Sequence, residues 1–126
     1  MSLKNCYCGS LKPFDLCCNR YIIGAENAPS ALALMKSRYS AYATHHVDYL
    51  LATTHYSERN LYSHDEILQW ATANNWQKLE IIAFTETTVE FKAYFIDAYN
   101  EAQIHHEFST FQKENNCWFY VDGKFK

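Results

Sequence analysis

Between residues 30 and 75 the apolar positions recur at helical steps, and beyond residue 78 they alternate in twos. Leu32, Met35, Tyr39 and Tyr42 return every three or four residues, while Lys36 and Ser40 fall on other sides. That spacing predicts a helix over 30–43 with one buried stripe. Pro29 suits its entry, because a fixed φ is already right for a first turn. Val47, Leu50 and Leu51 mark the inward side of a second helix over 46–53. Residues 55–60 read as a loop. A third helix opens at Ser63, where Glu66 completes a capping box. Its apolar face is Ile67, Trp70 and Ala71, and it ends at Asn74-Asn75.

The later segments read as strands. Leu79, Ile81 and Ala83 alternate with Lys78 and Glu80. Val89, Phe91, Ala93 and Phe95 alternate with Glu90, Lys92 and Tyr94. Ile104, His106 and Phe108 alternate with His105 and Glu107, and Cys117, Phe119 and Val121 with Trp118 and Tyr120. We take the first-named set of each strand as the covered face. The polar links at 85–87, 100–101 and 113–116 are short, which favours antiparallel neighbours. The fold class is therefore α+β: three helices packed on a curved antiparallel sheet of about four strands. The helices are the only cover for one face of that sheet. This domain spans 29–126. Residues 21–28, broken by Gly24 and Asn27, read as a linker, and 1–20 form a separate small unit.

That unit holds four of the five cysteines: Cys6, Cys8, Cys17 and Cys18. Zinc takes four soft ligands in a tetrahedron, and thiolates suit it. Cys6 and Cys8 flank one residue, so both can face one ion from a tight turn. Gly9 and Ser10 favour that turn, and Pro13 stiffens the loop that returns to Cys17 and Cys18. We read the four as ligands of Zn2+. A disulfide staple or four inert thiols are the alternatives. The N-terminus has no apolar run of a secretory signal, which disfavours the staple. Cys117 sits apart and reads as a small core residue.

The Cys-x-Cys-x8-Cys-Cys spacing, with Gly-Ser after the second cysteine, resembles the SEC-C motif, a short zinc-binding element. The usual continuation is glycine-rich and basic. Here Leu11 replaces a glycine and Asp15 falls where a base is common, which disfavours the acidic partner that the motif meets in the SecA ATPase. Further along, Met35-Lys36-Ser37-Arg38-Tyr39-Ser40-Ala41-Tyr42, Asp48-Tyr49-Leu50, Thr53-Thr54-His55, Phe111-Gln112-Lys113 and Trp118-Phe119-Tyr120-Val121-Asp122-Gly123 resemble the YchJ-like family. Its members join an N-terminal SEC-C motif to a nuclear-transport-factor-two-like, or cystatin-like, cone. Many carry a second SEC-C motif after the last strand, whereas this sequence ends at Lys126. The resemblance implies architecture and a pocket between sheet and first helix. It implies no established activity.

Charge narrows the partners. The formal net charge is −3, and four thiolates with one divalent ion take it to about −5. Lys4, Lys12 and Arg20 offset some of this near the cysteines. An acidic holo protein grips a phosphate backbone poorly, so no nucleic acid is expected. No apolar run nears the roughly 20 residues of a membrane span. Free thiols lead us to expect a cytoplasmic setting.

Two functional readings follow. In the first, a non-enzymatic interaction module, Tyr7, Leu11, Phe14 and Leu16 form an exposed apolar contact for a protein partner. In the second, the cone pocket binds a small molecule or catalyses, using Arg38, Tyr39, Asp48, His55, Glu90 and His106. Arg38 pairs with Asp48 or Glu90, or receives an anionic ligand. His55 is a general base oriented by Asp48, or a satisfied helix-end residue. His106 reads as a core or pocket residue. His105 and His106 are strand neighbours on opposite faces, so they do not share a second metal. No phosphate loop or nucleophile elbow is present.

Overall fold

The computed structural model describes residues 5–126; Lys4, expected beside the cysteines, lies outside them. After a 3-10 turn at Phe14–Leu16 come helices α1 (Asn19–Ile22), α2 (Ala31–Thr44), α3 (Val47–Ala52) and α4 (His64–Ala73). A second 3-10 turn, Arg59–Leu61, lies between α3 and α4. Strands β1 (Asn75–Phe84), β2 (Thr88–Ile96), β3 (Ala102–Glu114) and β4 (Cys117–Phe125) follow. They form one antiparallel sheet in sequence order. Among the described residues no helix is long and apolar enough to cross a membrane.

Local chemistry sets the boundaries. Ser30 Oγ accepts from Ala33 N at 3.0 Å and starts α2, and Ser63 Oγ accepts from Glu66 N at 3.3 Å and starts α4. His45 adopts a left-handed φ of 64° and stops α2, a conformation that cannot continue a helix. Asn74 is extended, and its Nδ2 donates to Trp70 O at 2.8 Å, so α4 ends and β1 begins with no loop between them. Asn115 and Asn116 both take positive φ in the β3–β4 hairpin, where asparagine is tolerated better than most residues. The single turn of α1 is too short to leave a periodic signature. Its Tyr21, together with Ala28, packs into the main core with Ala31, Leu34, Met35, Tyr39, Val89 and Phe91.

The inner face of β2 is as the alternation predicts: Val89, Phe91, Ala93 and Phe95 are all buried. β3 and β4 run in the opposite phase. Directly opposed residues of an antiparallel pair share a face, and Val89, Phe91 and Ala93 stand opposite Ser109, Glu107 and His105. The covered face of β3 is therefore His105, Glu107, Ser109 and Phe111, and His106 points to the other side. On β4, Trp118 and Tyr120 join the core. A register shift after Thr110 then brings Gly123 opposite Ser109 and Phe125 opposite Glu107. On β1 a similar shift between Ile81 and Ala83 leaves Ala83 exposed. Cys117 is half-buried beside the Asn115-Asn116 turn, at the strand's first residue, and is no part of the core.

Leu50 is fully buried, whereas Ile82 is 45% exposed on the outer side of β1. Leu50→Ala is expected to cost about 2–5 kcal/mol. Ile82→Ala should stay within about 0.5 kcal/mol. Urea unfolding of the two variants checks the contrast.

Candidate metal centre and ligand cavity

The cysteine unit is folded by its backbone. Cys6 N donates to Lys12 O at 2.8 Å, and Gly9 N to Cys6 O at 3.2 Å. Gly9 holds a φ of 94°, which L side chains rarely adopt. The 3-10 turn then delivers Cys17 and Cys18. All four ligand sulfurs lie within 4.8 Å of one another, and Cys8 Sγ is 3.7 Å from Cys17 Sγ. Metal–sulfur bonds of about 2.3 Å in a tetrahedron demand sulfur separations near 3.8 Å, so the donor set fits one ion. No disulfide is formed. Hydrogen bonds from Cys18 and Cys8 pull the Cys6 thiol down, and donating to Cys6 holds the Cys18 proton more tightly. The neighbouring sulfurs and burial raise the Cys8 and Cys18 thiols, so the cluster favours one thiolate shared among its sulfurs.

Two outside contacts seat this unit. Ser40 Oγ on α2 lies 3.6 Å from Cys6 Sγ, and Leu79 of β1 packs against the cluster. Ser10 Oγ donates to Cys17 Sγ at 3.2 Å, and Arg20 Nε donates to the Cys17 carbonyl at 3.0 Å. Leu11 and Leu16 are 87% and 64% exposed, and Tyr7 is exposed as well. Phe14 instead is half-buried against Tyr7 and the cysteines.

A second feature lies between α2, α4 and the sheet: a cavity of about 510 Å³. α2 supplies Met35, Arg38, Tyr39 and Tyr42, the spacing of a single helix face. Trp70, Trp76, Phe91 and Phe111 add apolar wall, and His105, Glu107, Ser109 and Tyr120 form the polar floor. Glu107 organises that floor. Its Oε1 accepts from His105 Nε2 at 2.8 Å, and its Oε2 accepts from Ser109 Oγ and from Tyr120 Oη at 3.4 Å. Burial alone would raise the Glu107 carboxyl. The His105 and Ser109 hydrogen bonds, with the positive fields of His105 and Arg38, outweigh it and hold the carboxyl below its ordinary value. Burial and the Glu107 charge push the Tyr120 phenol up, and burial raises Tyr39 to about 12. A Cβ at position 123 would lie within 3 Å of the Glu107 carboxylate and the Tyr120 hydroxyl, so a side chain there would displace both groups from their present places.

The residues predicted for the pocket are scattered. Arg38 and Tyr39 do line it. Arg38 pairs with neither Asp48 nor Glu90. Its Nη1 donates to Leu50 O at 2.8 Å and Thr53 Oγ1 at 2.7 Å, and the guanidinium lies 4.5 Å over the Tyr120 ring. Asp48 is almost fully exposed, 3.6 Å from His64 in a separate shallow groove that His45 and His46 also line. His55 is buried outside the cavity, with Nε2 bonded to Glu114 and Nδ1 2.8 Å from Ser57 Oγ. Asp48 therefore does not orient it. Glu90 and His106 pair at 2.7 Å on the opposite face of the sheet from the cavity. The sequence reading missed His105, Glu107, Ser109 and Tyr120. One signal was available: Phe111, buried and apolar, shares the parity of the three β3 residues. Among the described residues the four cysteines are the one cluster tight enough to hold a metal.

Glu107 has a testable consequence for acid stability. Its folded pKa is lower than the roughly 4.3 of an unfolded glutamate. The stability it contributes is thus complete above that value and fades as pH falls through the folded pKa. Glu107→Gln should lose stability at neutral pH but show a flatter decline below about pH 4.3, measured by thermal melts across an acid titration.

The comparisons with known proteins agree with this arrangement. The model of the YchJ middle NTF2-like domain matches residues 30–123. A UPF0225 protein of Geobacter sulfurreducens is 36% identical, over 94% of this chain and 77% of its own length. A UPF0225 protein of Yersinia pestis is 41% identical, over 94% and 81%. The solution structure of a SEC-C motif containing protein from Rhodopseudomonas palustris superposes with a TM-score of 0.88 at 36% identity, covering 96% of this chain and 98% of that one. The crystal structure of a SEC-C motif containing protein from Psychrobacter arcticus gives 0.82 at 29%, covering 99% and 84%. With its cysteine cluster set against an NTF2-like domain, this chain belongs to the YchJ-like UPF0225 family.

Proposed function

We propose that this protein is a small-molecule-binding cone braced by a structural zinc ion at Cys6, Cys8, Cys17 and Cys18. The open cavity carries the reading. Its volume lies within the roughly 300–1,000 Å³ of small-molecule sites, and its mix of apolar walls and a few polar groups is theirs too. The charges on its walls compensate one another, Arg38 against Glu107, and the Glu107 oxygens already accept three hydrogen bonds. A ligand with a full charge would upset that balance. A flat, neutral, largely apolar molecule with one hydrogen-bonding group fits it. The protein-interaction reading ranks lower. Leu11, Leu16 and Tyr7 are exposed, but exposure names no partner, and Phe14 is already packed within the knuckle.

Zinc follows from the donor chemistry, since four thiolates with no open position form a closed structural site. Reduced protein is expected to hold one zinc per chain by elemental analysis. Cys18→Ser should lower both the zinc content and, by several kcal/mol, the stability, and a chelator should reproduce the loss. Protein that takes up no zinc overturns this part of the reading.

The cavity is tested with 2-tetralone, a flat bicyclic ketone. It should quench tryptophan fluorescence saturably, with a dissociation constant on the order of 1 mM or tighter. Ala93 is buried in the cavity wall, so Ala93→Phe should fill the space and abolish the quenching. Unsaturable quenching of the wild type overturns the binding reading.

A further inference from the structure

We propose that the cavity is catalytic, with His105 as a general base toward a planar carbonyl compound and Glu107 as the residue that positions it. The inference rests on the binding reading above and adds a reaction to it. Three histidine–carboxylate pairs occur in or beside the sheet, and only one is poised for chemistry. His106–Glu90 lies on the face away from the cavity. His55–Glu114 has both ring nitrogens occupied, because Nδ1 faces the Ser57 hydroxyl and also accepts from Ser57 N at 3.2 Å. His105 lines the cavity, and the hydrogen bond recorded for its ring uses Nε2 alone.

An ionised carboxylate only accepts, so the bond to Glu107 places the proton on Nε2 and leaves the Nδ1 lone pair free. Ser109 and Tyr120 fix the Glu107 carboxylate from its other oxygen, and Gly123 leaves it room. The imidazole is further held edge-on by Phe125 at 4.9 Å, with Phe91 at 6.1 Å. A ring fixed on both sides is what a base needs, since geometry precedes pKa in proton transfer. The complementary group is Arg38. All its hydrogen bonds leave from Nη1, and among the described residues Nε and Nη2 carry none. A guanidinium on a low-dielectric wall stabilises a developing oxyanion.

The step balances within these groups. Nδ1 of His105 takes a proton from the carbon next to a carbonyl. The C–H pair becomes the carbon–carbon π bond of an enolate, and the carbonyl π pair moves onto oxygen, facing Arg38. The imidazolium then returns the proton, either to the same carbon or to another carbon of a conjugated system. The net reaction is exchange or isomerisation, and no other reactant is consumed. The substrate class is a flat, neutral ketone or unsaturated carbonyl compound with an acidic α C–H. The other polar and titratable groups that line the same cavity are Arg38, Tyr39 and Tyr42 of α2, Tyr62, Glu107 of β3 and Tyr120 of β4.

The test follows loss of the C1 protons of 2-tetralone by NMR, with zinc-loaded full-length protein in deuterated buffer. Exchange should exceed the buffer rate and saturate with ketone. His105→Gln should slow it by at least about 100-fold, the lower range of general-base contributions, with quenching by 2-tetralone kept within about threefold. Glu107→Gln should slow exchange while leaving the half-saturating ketone concentration within about threefold, and Glu107→Asp, which keeps the carboxylate, should recover part of the lost rate. A merely structural role would change binding together with rate and give no such recovery. Ala93→Phe keeps the dyad and blocks the cavity, so it should abolish exchange even if His105→Gln folds poorly. Saturable quenching without faster exchange overturns catalysis and leaves the binding reading intact. Full exchange in His105→Gln overturns the assignment of the base. Absence of quenching overturns the binding reading and this inference together.

Discussion

The pairing register of β2 with β3 determines what this fold encloses. Phe91 stands opposite Glu107 and Ala93 opposite His105, so a strand of apolar inward residues is matched with a strand of polar ones. Slipping the pairing by one residue would turn His105, Glu107 and Ser109 outward and bring Ile104, His106 and Phe108 under the helices. That alternative would build a more apolar core, with His106 as the polar member of the three. The observed register instead places Ser109 and Glu107 on the covered face, and Ser109 fills far less volume than Phe108 would. The register is fixed from the β2 side, where Val89, Phe91, Ala93 and Phe95 have no other surface on which to be buried.

Helix α2 transmits this arrangement to the cysteine unit. Its inward face carries Arg38, Tyr39 and Tyr42 at the cavity, while Ser40 reaches the sulfur of Cys6. Ser37 is fully buried and bonds both the Leu34 carbonyl at 2.7 Å and the Tyr49 hydroxyl at 2.6 Å, tying α2 to α3. Small hydroxylated residues on α2 therefore let two neighbours, the cysteine unit and α3, approach it closely. Tyr21 and Ala28 extend the core from the other end, so the segment between the cysteines and α2 is packed rather than free-hanging. The cysteine knuckle in turn packs against β1 through Leu79.

Much of this was legible in the sequence, and the errors share one origin. The three long helices, the four strands and the four-cysteine cluster follow from periodicity, capping and spacing, all of which are local signals. Which face of β3 and β4 turns inward is not local. In β3 both alternating sets carry polar groups, His106 in one and His105, Glu107 and Ser109 in the other, so hydropathy favoured the set with Ile104 and Phe108. Cross-strand pairing with β2 decided otherwise. The same reversal moved His106 and Glu90 to the opposite face. Asp48 and His55 failed for another reason, because adjacency along the chain suggested a pairing that Glu114, 59 residues after His55, supplies instead.

The Glu107 cluster is difficult to explain as a stabilising device. Removing a carboxylate from water costs several kcal/mol, and hydrogen bonds recover that only when every lone pair is met. Three donors meet most of its roughly four acceptor sites, and Arg38 adds a compensating charge, so the cluster is tolerated. Toleration is not a reason for its presence. An apolar residue at position 107, in register with Phe91 and Phe125, would pack the same strands at lower desolvation cost, since hydrophobic replacements of buried ionic groups are often neutral or stabilising. The glycine at 123 points the same way, because it forgoes a side chain where only the carboxylate and phenol need the room. A buried acid held by three donors beside an open aromatic cavity, next to an imidazole bonded through one nitrogen, is the arrangement on which the proposed chemistry rests, and the stability of the walls does not require it.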